Sequence, residues 1–199
     1  MGNLLILASK SSARQRLLES ACVPFQAISS DVSEAPIKAE CLEKKLSPIE
    51  TALFLARAKA EDISKDYPDA LVLGADQMLS YGEIWLDKPM GCNGLETHLR
   101  QLKGRAHKLV NATVIMQSGR VVWQHQDSNT MVMRQLSDTF IESYVKEAGE
   151  TACQSVGGYQ IEGMGIQLFD RVDGDFFSVL GLPLLPLLGF LRSRKVIVS

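Results

Sequence analysis

The sequence predicts an α/β protein with a mixed central sheet flanked by helices. In the first half of the chain, short aliphatic runs typical of buried strands alternate with segments of helical periodicity. In the second half, two long strand candidates flank Ser118-Gly119-Arg120, a hairpin signal that adds antiparallel pairing. No repeat, low-complexity tract or linker divides the 199 residues, so we expect a single domain over residues 1–199.

The first predicted strand leads directly into a turn suited to an anion. The run Leu4–Leu7 indicates a buried strand, and Ser11 or Ser12 is a good N-cap for the helix that follows. Backbone N–H groups at a helix start point outward and the dipole favours negative charge, which makes the turn a candidate phosphate site. Arg14 and Arg16 fit a visiting anion there, and they fit solvated surface side chains about equally well.

The next elements are a short strand, a loop and a long helix. A strand is predicted over Pro24–Ser29, and the charged, unpatterned residues 37–45 are predicted to be a surface loop. Ser47-Pro48-Ile49-Glu50 combines a capping box with proline at the first helical position, so a helix should run from there to about Lys65.

Lys59 is the residue of this helix that is open to two interpretations. Leu55 and Ile63 lie one turn away on either side, so the lysine stem follows the apolar flank of the helix. Such a lysine usually covers apolar surface while its ammonium reaches water. The alternative is a lysine aimed into a cleft.

The stretch Asp69–Pro89 places an acid and a base at neighbouring strand ends. Ala70–Leu73 reads as a buried strand that Gly74 should end, with Asp76 at its exit. A turn and a second short strand, Ile84–Leu86, then deliver Lys88. A carboxylate and an ammonium that face each other are suited to phosphate chemistry.

The remaining elements follow from caps and turn signals. They are a helix from Asn93 to Lys103, strands His107–Gln117 and Val121–Met133, a helix from Ser137 to Gly149, a strand Ile166–Val172 and a final helix opening at Gly181-Leu182-Pro183.

Composition argues against several classes of function. The net charge of −2 gives no electrostatic case for binding a nucleic-acid backbone, although it is compatible with a local basic cleft. The longest apolar stretch, Val179–Leu191, is shorter than the ~20 residues of a membrane span, and no signal peptide is evident. The four cysteines have no zinc-like or disulfide-framework spacing, so we expect reduced thiols and a cytoplasmic location.

Familiar catalytic motifs are absent from the sequence. It contains no G-x-x-x-x-G-K-[ST] phosphate loop and no G-x-S-x-G elbow, and Gly163-x-Gly165 lacks the third glycine of a dinucleotide site. What remains are cations and hydroxyls at element ends, together with a few acids, a set that suits hydrolysis of a nucleotide. The members are Ser9, Ser11, Arg14, Lys59, Lys88, Glu34, Asp76 and Glu162.

The order of five short motifs resembles the Maf family of nucleoside triphosphate pyrophosphatases. They are L-I-L-A-S-x-S near the start, G-A-D-Q, K-P, G-Y-x-I-x-G and G-D-F-F-S-V-L-G-L-P, spread from Leu4 to about Leu191. The resemblance implies an elongated fold related to inosine triphosphate pyrophosphatases, with two lobes around a deep cleft. It also implies cleavage of the α–β phosphoanhydride with Mg²⁺ or Mn²⁺, giving a nucleoside monophosphate and pyrophosphate. A homodimer is compatible with the resemblance.

The resemblance also assigns roles residue by residue. Asp76 falls on the catalytic aspartate, Ser9, Ser11 and Arg14 on the phosphate-binding turn, Glu34 on the acid of the second segment, and Lys59 and Lys88 on two phosphate-binding lysines. Asp76 and Glu34 are the candidate metal ligands. A free aspartate with a pKa near ~3.9 is a poor base, but a divalent metal makes a water molecule far more acidic, so Asp76 can deprotonate or orient it.

Three positions bear on the choice of nucleotide. In the family, Arg, Thr and Gln at the positions of Ala13, Gln77 and Glu162 accompany dTTP and UTP. Gln77 with Glu162 resembles instead the branch that hydrolyses 7-methyl-GTP, although that branch tends to carry tryptophan at the position of Ala13. A glutamate can accept hydrogen bonds from the N1 and N2 donors of guanine. We therefore expect a purine or modified-purine substrate.

Two other functions are compatible with parts of the sequence. A nucleotide-binding regulator of septum formation would keep the lysines and the anion-binding turn, but it would not need Asp76. A protein-interaction module would use the apolar segment Leu184–Leu191, which fits a core helix better.

Overall fold

The computed structural model of the chain describes residues 4–198. Seven strands and seven α-helices make up the described chain. In order they are β1 Leu5–Leu7, α1 Ser12–Ser20, β2 Gln26–Ala27, α2 Glu34–Glu43, α3 Pro48–Ser64, β3 Leu71–Tyr81, β4 Ile84–Leu86, α4 Gly91–Leu102, β5 Ala106–Gln117, β6 Arg120–Met133, α5 Asp138–Ala152, β7 Phe169–Asp173, α6 Phe176–Val179 and α7 Leu184–Ser193. Two 3₁₀ helices, Val156–Gly158 and Met164–Leu168, lie between α5 and β7.

The strands form one mixed sheet. Its order is β2-β1-β3-β5-β6-β7, and β4 pairs with β3 outside this path. Strand β1 runs parallel to both β2 and β3, whereas the β3–β4 and β6–β7 pairs are antiparallel. The prediction of a mixed α/β sheet with flanking helices is therefore confirmed.

The chain divides into two compact units. The first comprises Met1–Asp76, Asn111–Asp127 and Phe176–Ser199, and the second comprises Gln77–Val110 and Ser128–Asp175. Strands β3, β5 and β6 each continue from one unit into the other along the chain. The prediction of one Maf-like domain with two lobes around a cleft stays a prediction.

The core of the first unit forms where α1 and α7 cover strands of the sheet. Its fully buried members include leucines from each of these elements, namely Leu5, Leu7, Leu18, Leu71, Leu73, Leu187 and Leu191. Each such side chain contributes about 1.5–3 kcal/mol on burial. The core therefore anchors both ends of β1 and the start of β3, the elements from which the candidate site projects.

The second unit is built from α4 and α5 packed together, with the first 3₁₀ helix against α4. Leu95, Leu99 and Leu102 on α4 are completely buried, as is Ile141 on α5. No helix within residues 4–198 has both the length and the apolar composition needed to cross a membrane.

Local signals placed the starts of α1, α3 and α5 correctly, whereas the helix predicted from Asn93 begins at Gly91. Ser47 accepts a hydrogen bond from the Glu50 N–H while the Glu50 carboxylate accepts one from the Ser47 N–H, which is the predicted capping box. Ser137 caps α5 through the Phe140 N–H. Gly149 has a left-handed φ of 41° as a helix-ending glycine should, but α5 resumes after this kink and continues to Ala152.

The loop predicted for residues 37–45 is wrong, because helix α2 occupies Glu34–Glu43. Its apolar residues recur at every second position, so they give no helical periodicity. The helix is stabilised instead by two ion pairs at i,i+4 spacing, Glu34–Lys38 and Glu40–Lys44, and by packing against α3.

The predicted strand end at Gly74 is also wrong. Strand β3 continues through Gly74 to Tyr81, so Asp76 lies inside a strand and not at its exit. Gly74 serves close packing: a Cβ built there would lie 2.1 Å from the carbonyl oxygen of Ala56 and 2.9 Å from the Cβ of Ala60. The glycine therefore lets α3 approach the backbone of β3.

Gly74→Ala should lower the free energy of unfolding by about 1–3 kcal/mol or more, because the added methyl group overlaps the α3 backbone. Chemical denaturation measures this change. Gly189→Ala is the matched control, since its Cβ meets no atom within 4 Å and alanine favours a helix over glycine by about 1 kcal/mol. Equal effects of the two substitutions would contradict the close approach of α3.

Candidate active site

A hydroxyl-lined turn connects β1 to α1. Ser11 is the N-cap of α1 and its hydroxyl accepts a hydrogen bond from the Arg14 N–H at 3.4 Å. The Ser9 hydroxyl accepts from the Ser11 N–H at 3.1 Å and from the Arg14 guanidinium (Nη1) at 3.3 Å. The strand, turn and helix start thus assemble the three predicted phosphate-binding residues in one place.

Arg14 is a buried cation with a fixed position. Its Nε donates to the carbonyl oxygen of Gly181 at 2.8 Å, and the residue is only 9% exposed. Burial lowers the pKa of Arg14, while the negative charges of Asp76 and Glu34 raise it. An arginine stays protonated in proteins. The interpretation of Arg14 as a solvated surface side chain is therefore wrong.

A buried hydrogen-bond network lies behind Gly181. The Gly181 N–H donates to the carbonyl of Ser178 at 2.8 Å, and the Asn111 side chain donates to the same carbonyl at 2.9 Å. Asp127 accepts from both the Ser178 hydroxyl and the Asn111 amide. The network orients the α6–α7 connection, whose Gly181 carbonyl holds Arg14.

Lys59 joins two carboxylates from different elements. Its ammonium nitrogen lies 2.6 Å from Oδ1 of Asp76 on β3 and 2.7 Å from Oε1 of Glu34 at the start of α2. The Lys59 side chain is 12% exposed and that of Asp76 is 7% exposed, whereas that of Glu34 is 43% exposed. The ammonium of Lys59 is thus held by acids, and the interpretation in which it reaches water is wrong.

The electrostatic state of Asp76 reflects opposing effects. Burial raises the pKa of its carboxyl group, and the charge of Glu34 adds to that rise. The charge and hydrogen bond of Lys59, followed by the charge of Arg14, lower the pKa. Desolvation is the largest of these effects, so Asp76 holds a proton more readily than an aspartate in water.

Asp76 and Glu34 are suitable, though incomplete, ligands for a divalent metal. Both carboxylates direct an oxygen at one cation, the Lys59 ammonium, which shows that the two oxygens converge. Across residues 4–198, no group of three or more His, Cys, Asp or Glu side chains is arranged to hold a metal ion. Mg²⁺ in nucleotide enzymes commonly takes one or two carboxylates and completes its shell with phosphate oxygens and water, so the pair fits that kind of ion.

Three of the other predicted site residues belong to the second unit. Gln77 follows Asp76 on β3 and is half-buried, Lys88 is exposed after β4, and Glu162 is exposed between the two 3₁₀ helices. Ala13, the remaining specificity position, is half-buried on α1 in the first unit.

The segment that carries Glu162 is anchored by aromatic side chains. His107 Nε2 lies 2.7 Å from the Tyr159 hydroxyl, and the Tyr159 ring meets Phe169 edge-on at 4.8 Å. Burial lowers the pKa of His107 to about 4, which keeps the ring uncharged at neutral pH. The Tyr144 hydroxyl donates to the Gly158 carbonyl at 3.2 Å. These contacts fix the glycine-rich segment just before Glu162.

Sequence reasoning missed the residues that hold Arg14 and the Glu162 segment. Ser178 and Gly181 lie inside the G-D-F-F-S-V-L-G-L-P motif, so that motif offered a signal for them. Asn111, Asp127 and His107 lie on β5 and β6 with no local motif, and only the tertiary structure shows their contacts.

Several known proteins are similar to this protein over nearly the whole chain. A nucleoside triphosphate pyrophosphatase of Granulibacter bethesdensis is 44% identical over 193 residues, which cover 97% of this chain and 98% of that protein. A 7-methyl-GTP pyrophosphatase of Rhizobium meliloti is 45% identical over 197 residues, 99% of each chain. A nucleoside triphosphate pyrophosphatase of Bradyrhizobium diazoefficiens is 45% identical over 193 residues, 97% of this chain and 95% of that protein.

A solved structure of a nucleoside-triphosphatase, dITP/XTP pyrophosphatase, from Mycobacterium abscessus aligns with 96% of this chain and 95% of its own at 15% identity. Its TM-score of 0.42 is too low to add to the description of the fold. The family described as Maf-like protein matches residues 4–194. That match and the full-length relatives show that this chain belongs to the Maf-like protein family.

Proposed function

We propose that this protein is a nucleoside triphosphate pyrophosphatase. Water attacks the α-phosphorus, the bond from that phosphorus to the α–β bridging oxygen breaks, and the products are a nucleoside monophosphate and pyrophosphate. One observation carries the proposal: a buried carboxylate, Asp76, contacts Lys59 and interacts electrostatically with Arg14 of the hydroxyl-lined turn. An acid that can take a proton and cations that can hold phosphates are thus combined in one unit.

The phosphate groups are bound by residues that already present positive charge or donors. The turn of Ser9 and Ser11 offers hydroxyls and the start of α1, and Arg14 adds a guanidinium that Gly181 holds in place. Lys59 is a second cation in the same unit. The family resemblance assigns Lys88 to the phosphates as well.

Asp76 acts as the general base. Burial raises the pKa of its carboxyl group, and a carboxylate with a raised pKa takes a proton more effectively near neutral pH than one in water. A divalent ion, Mg²⁺ or Mn²⁺, held by Asp76 and Glu34 would supply charge neutralisation on the phosphates and acidify the attacking water. Lys59 and Arg14 stabilise the negative charge that grows on the leaving pyrophosphate.

The substrate follows from three residues that differ among family branches. Gln77 and Glu162 favour 7-methyl-GTP or another purine nucleotide, and Glu162 is exposed and able to accept from guanine N1 and N2. Ala13 leaves no aromatic side chain to stack on a cationic base at its position on α1. We therefore propose a purine or modified-purine triphosphate, with weaker discrimination of N7 methylation than a tryptophan would give.

The alternative of a nucleotide-binding regulator without turnover is not favoured. Such a protein has no need to desolvate an acid beside its phosphate-binding cations, yet Asp76 is 5% exposed. The family resemblance further suggests a homodimer. The cysteine pattern, net charge and hydropathy favour a cytoplasmic protein without nucleic acid or membrane as a partner.

Asp76→Asn should lower kcat by about 10²–10⁴-fold, because the variant cannot accept a proton, while nucleotide binding measured without divalent metal is retained. Steady-state release of pyrophosphate measures turnover, and calorimetry measures binding. Product analysis of the wild-type reaction should give the monophosphate and pyrophosphate in equal amounts.

The control for that experiment is Asp66→Asn, an exposed position just after α3. It removes the same charge and should leave kcat unchanged. Wild-type turnover in Asp76→Asn would remove Asp76 from the role of base, and release of orthophosphate with a diphosphate would refute cleavage at the α-phosphorus.

The stability of the fold should report the raised pKa of Asp76. Protonated Asp76 favours the folded state below its unfolded pKa of about 3.9, and this contribution is lost as pH rises through the higher folded pKa. Asn does not titrate. The Tm of Asp76→Asn minus that of wild type should therefore be larger at about pH 7.5 than at about pH 4, in metal-free buffer. A smaller difference at neutral pH would show that Lys59 and Arg14 outweigh desolvation.

The choice of nucleotide is tested by comparing kcat/KM for 7-methyl-GTP, GTP, dTTP and UTP. We expect the two guanine nucleotides to exceed the two pyrimidine nucleotides, because Glu162 can accept from guanine. Glu162→Gln should narrow that ratio by about 10-fold or more through the loss of a charge-assisted acceptor. A wild-type preference for dTTP would refute the purine assignment.

A further inference from the structure

The ammonium of Lys59 occupies the point at which the two candidate metal ligands converge. It lies 2.6 Å from Asp76 Oδ1 and 2.7 Å from Glu34 Oε1. These are the distances of charge-assisted hydrogen bonds, and the lysine is largely shielded from water. In the nucleotide-free protein, the carboxylates therefore already have a cation.

A divalent ion cannot share this point with the ammonium. Both would need the same carboxylate oxygens, and positive charges a few ångströms apart repel strongly where water is scarce. A metal ion that binds before the nucleotide would have to displace the Lys59 ammonium, which would then lose both of its carboxylate partners. Arg14, a second buried cation that interacts with the same acids, adds to the repulsion.

A bound triphosphate would remove this obstacle. Its oxygens would offer the Lys59 ammonium new acceptors, and they would supply the additional oxygen ligands that two carboxylates cannot provide to a metal ion. A lysine suits such a transfer, since its charge sits at the end of a flexible stem. Arg14 is not suited to such a transfer, because its Nε donates a hydrogen bond to the Gly181 carbonyl.

We propose that Lys59 is the resident counter-ion of the Asp76–Glu34 pair. It keeps divalent metal ions from the nucleotide-free protein and releases the two carboxylates when phosphate oxygens accept its ammonium. The inference rests on the proposed function for the identity of the anion, but the exclusion of metal concerns the free protein alone. By linkage, metal and nucleotide then strengthen each other's binding by the same factor.

The first experiment measures Mn²⁺ binding to the nucleotide-free protein at low salt by electron paramagnetic resonance of unbound Mn²⁺. Lys59→Met should bind Mn²⁺ at least about tenfold more tightly than wild type, because the carboxylates lose their competing cation. Lys59→Gln, which keeps a polar end, should show the same direction if Lys59→Met folds poorly. Mn²⁺ should also raise the Tm of these variants more than that of wild type.

Two controls separate competition from a general change of charge. Lys38→Met removes a lysine that lies 3.6 Å from Glu34, and it should change Mn²⁺ affinity by less than about twofold because Lys59 still holds both acids. Adding Asp76→Asn to Lys59→Met should return the affinity to the wild-type level. Unchanged or weaker Mn²⁺ binding in both Lys59 variants would overturn the proposal.

A second measurement tests release by nucleotide. With a non-hydrolysable α,β-methylene GTP analogue and a protein-free blank, wild type should bind Mn²⁺ more tightly than the analogue alone, and Asp76→Asn should not. Equal binding by the two proteins would overturn the release step. Neither measurement requires turnover. A gain in Mn²⁺ affinity in the Lys59 variants, together with a wild-type protein that releases no pyrophosphate from any of the four nucleotides, would refute the proposed function and leave the counter-ion role intact.

Discussion

Burial of the Asp76 carboxylate against the Lys59 ammonium is the interaction on which the candidate site depends. Two charges that leave water together lose hydration, and the loss is offset only when each finds good partners. Lys59 has two acids within hydrogen-bond distance, and Asp76 lies in the field of Lys59 and of Arg14. Burial raises the pKa of the Asp76 carboxyl group in spite of these cations, and groups with perturbed pKa values are concentrated at functional sites.

Arg14 and Lys59 show two ways to place a cation beside that acid. The guanidinium of Arg14 is held by a backbone carbonyl, and behind that carbonyl stands the network of Asn111, Asp127 and Ser178. The ammonium of Lys59, at the end of a flexible stem, contacts the carboxylates of Asp76 and Glu34. The backbone thus fixes the Arg14 guanidinium, whereas two side chains hold the Lys59 ammonium.

Capping signals in the sequence predicted the helices whose starts depend on nearby residues. The capping box at Ser47 and Glu50 predicted α3, and the hydroxyls of Ser11 and Ser12 predicted the start of α1, where Ser11 is the N-cap. Helix α2 escaped prediction because contact with α3 and charge pairs stabilise it, not an apolar stripe. The direction of Lys59 could not be read from its helix either, since the acids that hold it come from α2 and β3.

Gly74 links the packing of α3 on the sheet to the distance between the Asp76 carboxylate and the Lys59 ammonium. Successive side chains of a strand alternate between faces, so Asp76 shares the face on which Gly74 meets Ala56 and Ala60 of α3. Lys59 precedes Ala60 on α3, and its ammonium reaches Asp76 across the short distance between α3 and β3 that the glycine at position 74 permits. A residue without any functional group thereby sets the distance between Asp76 and Lys59. In a mutational scan scored by activity, substitutions at position 74 should reduce activity as much as substitutions of the charged residues. A wider separation of α3 from β3 would weaken the Asp76–Lys59 ion pair before the protein unfolds.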